Sequence, residues 1–165
     1  MTGHRVYARH DGVEISDKLS IPLIKKCICD TLHFEGVDIP CEVSVLITDD
    51  KGIKEINRVF RGSDKTTDVL SFPMQEFYPP GWSAPGIEEI HPETGLLPLG
   101  DIILSAERIK KQACEYFQPI EHETAYLITH SVLHLLGYDH IDEAEEKKRM
   151  REREEGILDK LGIRG

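Results

Sequence analysis

The sequence predicts an α+β fold, with a small mixed four-stranded sheet packed with about five helices, in one domain over residues 1–165. Three observations predict it. Strand-like runs recur at Arg5–His10, Cys41–Ile47, Thr67–Phe72 and Gly100–Leu104. Segments of helical spacing separate them. The 165 residues, 39% hydrophobic and 30% charged, suffice for one real core and exclude a disordered chain.

Arg5–His10 alternates through Val6 and Ala8 and reads as a short first strand. Ser20 is a helix N-cap with Pro22 in the first turn; Leu23, Ile24, Cys27, Ile28 and Leu32 follow, and Gly36 stops the helix. Cys41, Val43, Val45 and Ile47 alternate with polar residues as a strand. A helix then starts at Thr48-Asp49-Asp50, with Ile53, Ile56, Val59 and Phe60 as its apolar stripe. Thr67–Phe72 is β-branched and aromatic, and Pro73 ends it. From Pro73 to Pro98 there is no period, a loop long enough to suggest a function of its own. After the Gly100–Leu104 strand, Ser105 caps a helix with the stripe Ile109, Ala113 and Phe117. Pro119 precedes a helix over Glu121–Leu136, apolar nearly all round and therefore buried. Asp142–Leu161 reads as an exposed charged helix with a thin apolar side, Asp142 and Glu145 forming a cap pair. The alternation of strands and helices allows parallel pairing, with one or two strands antiparallel. No repeat, low-complexity tract or linker interrupts it.

No apolar run reaches the roughly 18 residues of a membrane span, and no apolar segment follows the N-terminus as a secretory signal would require. The expected compartment is the cytoplasm. Cys27, Cys29, Cys41 and Cys114 form no Cys-x-x-Cys pair and read as reduced thiols, mostly buried. A net charge of −10 argues against non-specific coating of nucleic acid. A locally basic cleft remains compatible with it.

The chemistry lies in His130-Ser131-Val132-Leu133-His134-Leu135-Leu136-Gly137-Tyr138-Asp139-His140. His130 and His134 share one helix face, one turn apart. Gly137 can end the helix in the left-handed conformation and return His140 toward the pair. Three imidazoles facing one point are the ligand set of a catalytic zinc site, with a fourth position for water. Buried imidazoles need partners, and one ion would satisfy all three. The spacing matches the zincin pattern H-E-x-x-H-x-x-G-x-x-H except that Ser131 replaces the glutamate. Serine cannot serve as a peptidase's general base near neutral pH, so the site survives while a metalloprotease's base does not. His122, two turns earlier, reads as a packing residue. A phosphodiester suits such a site better, because a metal ion and an arginine fork together offset charge on phosphoryl oxygens. Arg58, Arg61 and Lys65 lie in one short stretch and, with Lys110 and Lys111, are expected on the cleft side. Asp139, Asp68 and Asp101 are candidate proton acceptors; the last two read more simply as strand-end hydrogen-bond acceptors, and Asp139 could instead orient a histidine.

Three segments carry a resemblance: Asn57–Arg61 with Thr67–Pro73, then Leu99–Ile102, then His130–His140. The chain resembles the YbeY family of metal-dependent endoribonucleases. The resemblance implies a zinc-dependent enzyme cutting single-stranded RNA rather than DNA, acting in 16S rRNA 3′-end maturation and ribosome quality control beside the small ribosomal subunit. It makes His130, His134 and His140 the metal ligands, Arg61 the functional arginine and His134 part of the catalytic set. The family often has glycine where this chain has Ser131. The competing readings are a zincin-like metalloprotease and a non-catalytic, metal-binding ribosome-assembly factor.

Overall fold

The computed structural model describes residues 3–14, 19–138 and 144–162. Its elements in chain order are β1 (Arg5–His10), α1 (Ile21–Phe34), β2 (Cys41–Thr48), α2 (Asp50–Arg61), β3 (Val69–Pro73), β4 (Leu97–Ser105), α3 (Ala106–Glu115), α4 (Ile120–Leu135) and α5 (Ala144–Leu161), with a 3₁₀ turn at Ile87–Glu89 between β3 and β4. The sheet order is β1-β2-β4-β3. β1, β2 and β4 run parallel, and β3 pairs antiparallel with β4 at one edge. This is the mixed four-stranded sheet with five helices that the sequence predicts.

Strand alternation divides the sheet into two faces. Val6, Val43, Val45, Ile47, Ile102 and Leu104 point to the inner face and join one core with α1 and α4. Leu70 and Ile103 point outward and form a separate cluster with Ile53 of α2. Ser20 caps α1 by accepting from the Leu23 N–H at 3.2 Å, and Asp49 caps α2 by accepting from the Gly52 N–H at 2.7 Å. Ser105 caps α3 through the Arg108 N–H.

Several expectations need correction. Val59 and Phe60 are exposed, at 57% and 71% of their surface, because α2 covers only part of the outer face. Phe117 is 95% exposed: α3 ends at Glu115, and Phe117 takes a positive φ of 53° in the turn that follows. β4 begins at Leu97, since Cys41 and Glu42 pair with Leu97 and Pro98 ahead of an irregularity in the register. α5 is less exposed than expected, with Glu154, Ile157 and Leu158 buried. Asp142 of the expected cap pair lies outside the described residues. All four cysteines are free; Cys27 and Cys41 are buried, Cys29 is half-buried and Cys114 exposed. Burial pushes the Cys27 and Cys41 thiols up to about 12, so both are inert at neutral pH.

The 73–98 segment is tied down rather than loose. Phe77 is buried, the Gly81 N–H donates to the Leu136 carbonyl at 2.9 Å, and the Trp82 indole donates to Asp38 at 3.0 Å. Gly137, at φ 94°, makes the close approach possible: a Cβ there would sit 2.7 Å from the Phe77 carbonyl oxygen.

Candidate functional site

α4 is buried on nearly every side, so its polar side chains matter. His130 and His134 stand one turn apart and point the same way. Their Nε2 atoms are 3.0 Å apart and their rings lie edge to face, with centroids at 4.6 Å. Tyr126, one turn earlier, stacks beside His130 at 6.0 Å. The Nδ1 of His130 is 2.7 Å from Glu154 Oε1, and the Glu154 side chain is only 3% exposed. A buried carboxylate accepts a hydrogen bond from Nδ1–H, the tautomer that leaves the Nε2 lone pair facing its neighbour. Glu154 escaped the sequence reading, although a signal existed. Glu154, Ile157 and Leu158 stand at i, i+3 and i+4, which places the glutamate on the apolar face of α5.

The histidines open into a cavity of about 980 Å³ along the inner side of β3. Arg61, Asp68, Ser71, Glu76 and Tyr138 also line it. The loop after β3 supplies one wall through Gln75, Glu76, Phe77 and Tyr78, which gives that segment a role the sequence left open. Burial is the main cause that pushes the Tyr138 phenol up to about 12.

Arg61 ends α2, where Gly62 stops the helix at φ 66°. Its guanidinium lies 5.1 Å over the Phe72 ring and donates to the Ser71 carbonyl. The side chain thus reaches around the edge strand to the same cavity as the histidines. The other expected cations do not line it. Arg58 is paired with Glu55 one turn back along α2, and Lys65 is exposed while its carbonyl accepts from Asn57. Lys110 and Lys111 sit on the exposed side of α3. Arg61 therefore shares the cavity with Asp68 and Glu76, and among the described residues no other expected cation joins it there.

Asp68 Oδ1 accepts from the Val69 N–H at 2.8 Å. The Gln112 amide, with its nitrogen turned inward, donates to Asp68 Oδ2 and Glu123 Oε1, each at 3.3 Å. Burial, then the Asp68 charge, raises the buried Glu123 carboxyl above its ordinary value. Asp101 points to the other face of the sheet and lines a different groove. Ser131 is fully buried and donates back to the Leu127 carbonyl at 2.8 Å, so its hydroxyl is committed to the helix. His122 does not line the cavity. His140 and Asp139 lie outside the described residues; among those described, no three potential ligands of His, Cys, Asp or Glu type form a metal-holding group.

A four-stranded α+β sheet whose edge strand separates an arginine from a helix-borne histidine pair defines the class. The chain belongs to the family described as Endoribonuclease YbeY, whose model matches residues 6–162. Endoribonuclease YbeY of Clostridium kluyveri is 45% identical over 164 residues, covering 94% of this chain and 96% of its own. The protein of the same name from Clostridioides difficile is 45% identical over 155 residues, covering 94% of each. The solution structure of TM1509 from Thermotoga maritima aligns with a TM-score of 0.57 at 27% identity, covering 92% of this chain and 87% of that one.

Proposed function

We propose that this protein is a zinc-dependent endoribonuclease that cuts single-stranded RNA, with His130, His134 and His140 holding the metal and Arg61 holding the phosphate. The names of the relatives support the activity. The observation that carries the reading is the His130–His134 pair, pinned by Glu154, in one cavity with Arg61.

The residues fit the ion. Two nitrogens each about 2.0–2.1 Å from a tetrahedral zinc stand roughly 3.3 Å apart, close to the 3.0 Å between the two Nε2 atoms. Glu154 fixes the tautomer of His130 that presents Nε2. A bound zinc ion supplies Lewis acidity toward a phosphoryl oxygen and toward water. Arg61 offers a planar fork of five donors, of which the Ser71 carbonyl engages one, and it offsets charge on the phosphoryl group. Asp68 and Glu76 are the carboxylates that line the cavity among the described residues, so a proton leaving the nucleophile has an acceptor within it.

The substrate is ribosomal RNA at the 3′ end of the 16S molecule, presented by the small ribosomal subunit in the cytoplasm during maturation and quality control. A cavity with Arg61 against two carboxylates gains little RNA affinity from charge alone, which favours a substrate delivered by a partner. No helix among the described residues is long and apolar enough to cross a membrane.

The test combines elemental mass spectrometry with cleavage of unstructured RNA. Wild type carries zinc and cuts RNA, His134→Ala loses both, and Arg61→Glu keeps zinc but does not cut. Proteolysis of casein that disappears in His134→Ala would mark a metalloprotease instead. Zinc without RNA cleavage in the wild type would mark a non-catalytic assembly factor.

A further inference from the structure

We propose that the outer face of the sheet is a stacking platform for the single-stranded RNA bases that flank the scissile phosphodiester, with Tyr7 and Phe72 as its two rings. The proposal rests on the nuclease reading and adds a binding site outside the histidine cavity.

The register builds this platform. Tyr7 of β1 pairs with Ser44 of β2, Ser44 with Asp101 of β4, and Asp101 with Phe72 of β3. One lateral row therefore crosses all four strands on the outer face, an aromatic ring at each end and a hydroxyl and a carboxylate between. Three strand spacings separate the rings by about 14 Å. The next row, with Leu46, Ile103 and Leu70, is packed against Ile53 and Ile56 of α2. Beside it a groove of about 730 Å³ runs over the first row, with Ile56 and the exposed Phe60 of α2 as one wall, the Phe60 ring edge to face with Phe72 at 5.9 Å. Tyr7 is 47% exposed within it.

Charge and chemistry favour RNA as the occupant. Arg9 and Lys25 line the groove against the single carboxylate of Asp101. Arg5 Nη1 is 3.5 Å from the Tyr7 hydroxyl, and the Arg61 guanidinium covers Phe72. Glu42 stands opposite Arg5 in the register, so the net positive charge is that of the lining itself, Arg9 and Lys25 against Asp101, which on a chain of net charge −10 is a local reversal of sign suited to a phosphate backbone. Every base has a π-face, so aromatic rings bind single strands with little regard to sequence. Four-stranded sheets that read single-stranded RNA place aromatic rings on the open face in this manner. Ser44 and Asp101 can meet base edges, a carboxylate being an acceptor for exocyclic amino groups. A protein partner would call for apolar surface across the whole groove, whereas the apolar wall of Ile56 and Phe60 lies on the α2 side and Ser44 and Asp101 separate Phe72 from Tyr7.

The groove also leads to the cavity. Phe72 and Ser71 are neighbours on edge strand β3 and face opposite sides of the sheet. Arg61 engages both, its plane over the Phe72 ring and its donor on the Ser71 carbonyl. An RNA strand leaving the groove at Phe72 passes Arg61 at the strand edge and enters the cavity beside His130. This route places positive charge outside the cavity, where the lining is acidic.

The test measures fluorescence anisotropy with oligouridine of about 12 nucleotides, within the site sizes of single-strand binders, and with a trinucleotide, in a chelator that suppresses cutting. Tyr7→Ala is expected to weaken the longer RNA about tenfold, the order that loss of one base–aromatic stack gives, with the trinucleotide unchanged. Tyr7→Trp restores binding, and Arg9→Glu flattens the salt dependence. A 4-thiouridine oligonucleotide should crosslink to the Arg5–His10 peptide of wild type, a readout that needs no variant to fold. Equal affinity of wild type and Tyr7→Ala for the longer RNA, or crosslinks confined to other segments, would overturn the platform while cleavage by wild type still stands. A wild type that neither binds nor cuts either RNA overturns the nuclease reading together with it.

Discussion

Glu154 is the most exacting test of the site, because it touches no substrate. Its carboxylate is buried and lies 2.7 Å from His130 Nδ1. Glu154→Ala removes the acceptor and leaves an imidazole N–H on a side chain only 15% exposed, which costs about 1–3 kcal/mol. It also frees the ring to rotate and to exchange tautomers. Loss of such an outer partner lowers metal affinity roughly 10–100-fold. Glu154→Gln keeps an acceptor oxygen of nearly the same shape but loses the charge assistance, and charged hydrogen bonds are about twice as strong as neutral ones. Its effect should therefore fall between wild type and alanine, near fivefold, or about 1 kcal/mol. Zinc affinity by chelator competition orders the three proteins, and ¹⁵N NMR of the imidazoles reports whether His130 carries its proton on Nδ1. Unchanged zinc affinity in a folded Glu154→Ala protein would refute the orienting role. A wild-type His130 protonated on Nε2 in the metal-free protein would refute the tautomer assignment.

Arg61→Ala should lower kcat/KM for RNA by about 10²–10³, with zinc content and Tm unchanged because the side chain is exposed and bonds one carbonyl; steady-state kinetics beside calorimetry check this. Gly100→Ala should destabilise the fold by about 3 kcal/mol. The glycine has φ 148°, and a Cβ would sit 2.3 Å from the Phe72 carbonyl oxygen across the β3–β4 ladder. Calorimetry should show a fall of roughly 6–12 °C in Tm. Glu123 gives a pH prediction. Its folded-state pKa lies above the ordinary value of 4.5, so its contribution to stability is fully present below that value and is lost as pH rises through the raised one. Glu123→Gln should therefore be more stable than wild type at neutral pH and should flatten this part of the stability profile. Urea unfolding across the acid-to-neutral range reads it, and a less stable variant with the wild-type slope would contradict the assignment.

The sequence exposed what depends on local period and failed where a partner lies far along the chain. Caps at Ser20 and Ser105, the four strands and the buried α4 are short-range properties. The pairing of His130 with His134 follows from one helical turn. Glu154 meets His130 from 24 residues away, and only its i+3 and i+4 neighbours Ile157 and Leu158 hint at burial. Val59 and Phe60 looked like core because their spacing is helical, yet a helix lying on part of a sheet buries only the residues over it; Ile53 is buried and those two are not. Phe117 failed for a different reason: α3 stops at Glu115, and the left-handed turn throws the ring outward. The faces of the strands were readable, but the neighbour of each strand was not. The lateral row Tyr7–Ser44–Asp101–Phe72 exists only once the order β1-β2-β4-β3 is known.

Ser131 then takes on a clearer meaning. In the peptidase pattern the residue after the first histidine aims a base at the reacting centre. Here that side chain is fully buried and bonded to the Leu127 carbonyl inside its own helix. α4 thus offers ring nitrogens and, at this position, no carboxylate. Among the described residues, the acidic groups of the cavity, Asp68 and Glu76, come instead from the approach to β3 and from the loop beyond it. Arg61 arrives from α2 around the same strand. In the proposed reaction, charge stabilisation and proton acceptance therefore fall to the β3 side of the cavity, while α4 and α5 position the imidazoles. Such a division suits a phosphodiester, whose reaction adds charge to oxygens already anionic, better than a peptide bond, whose amine must be protonated to leave.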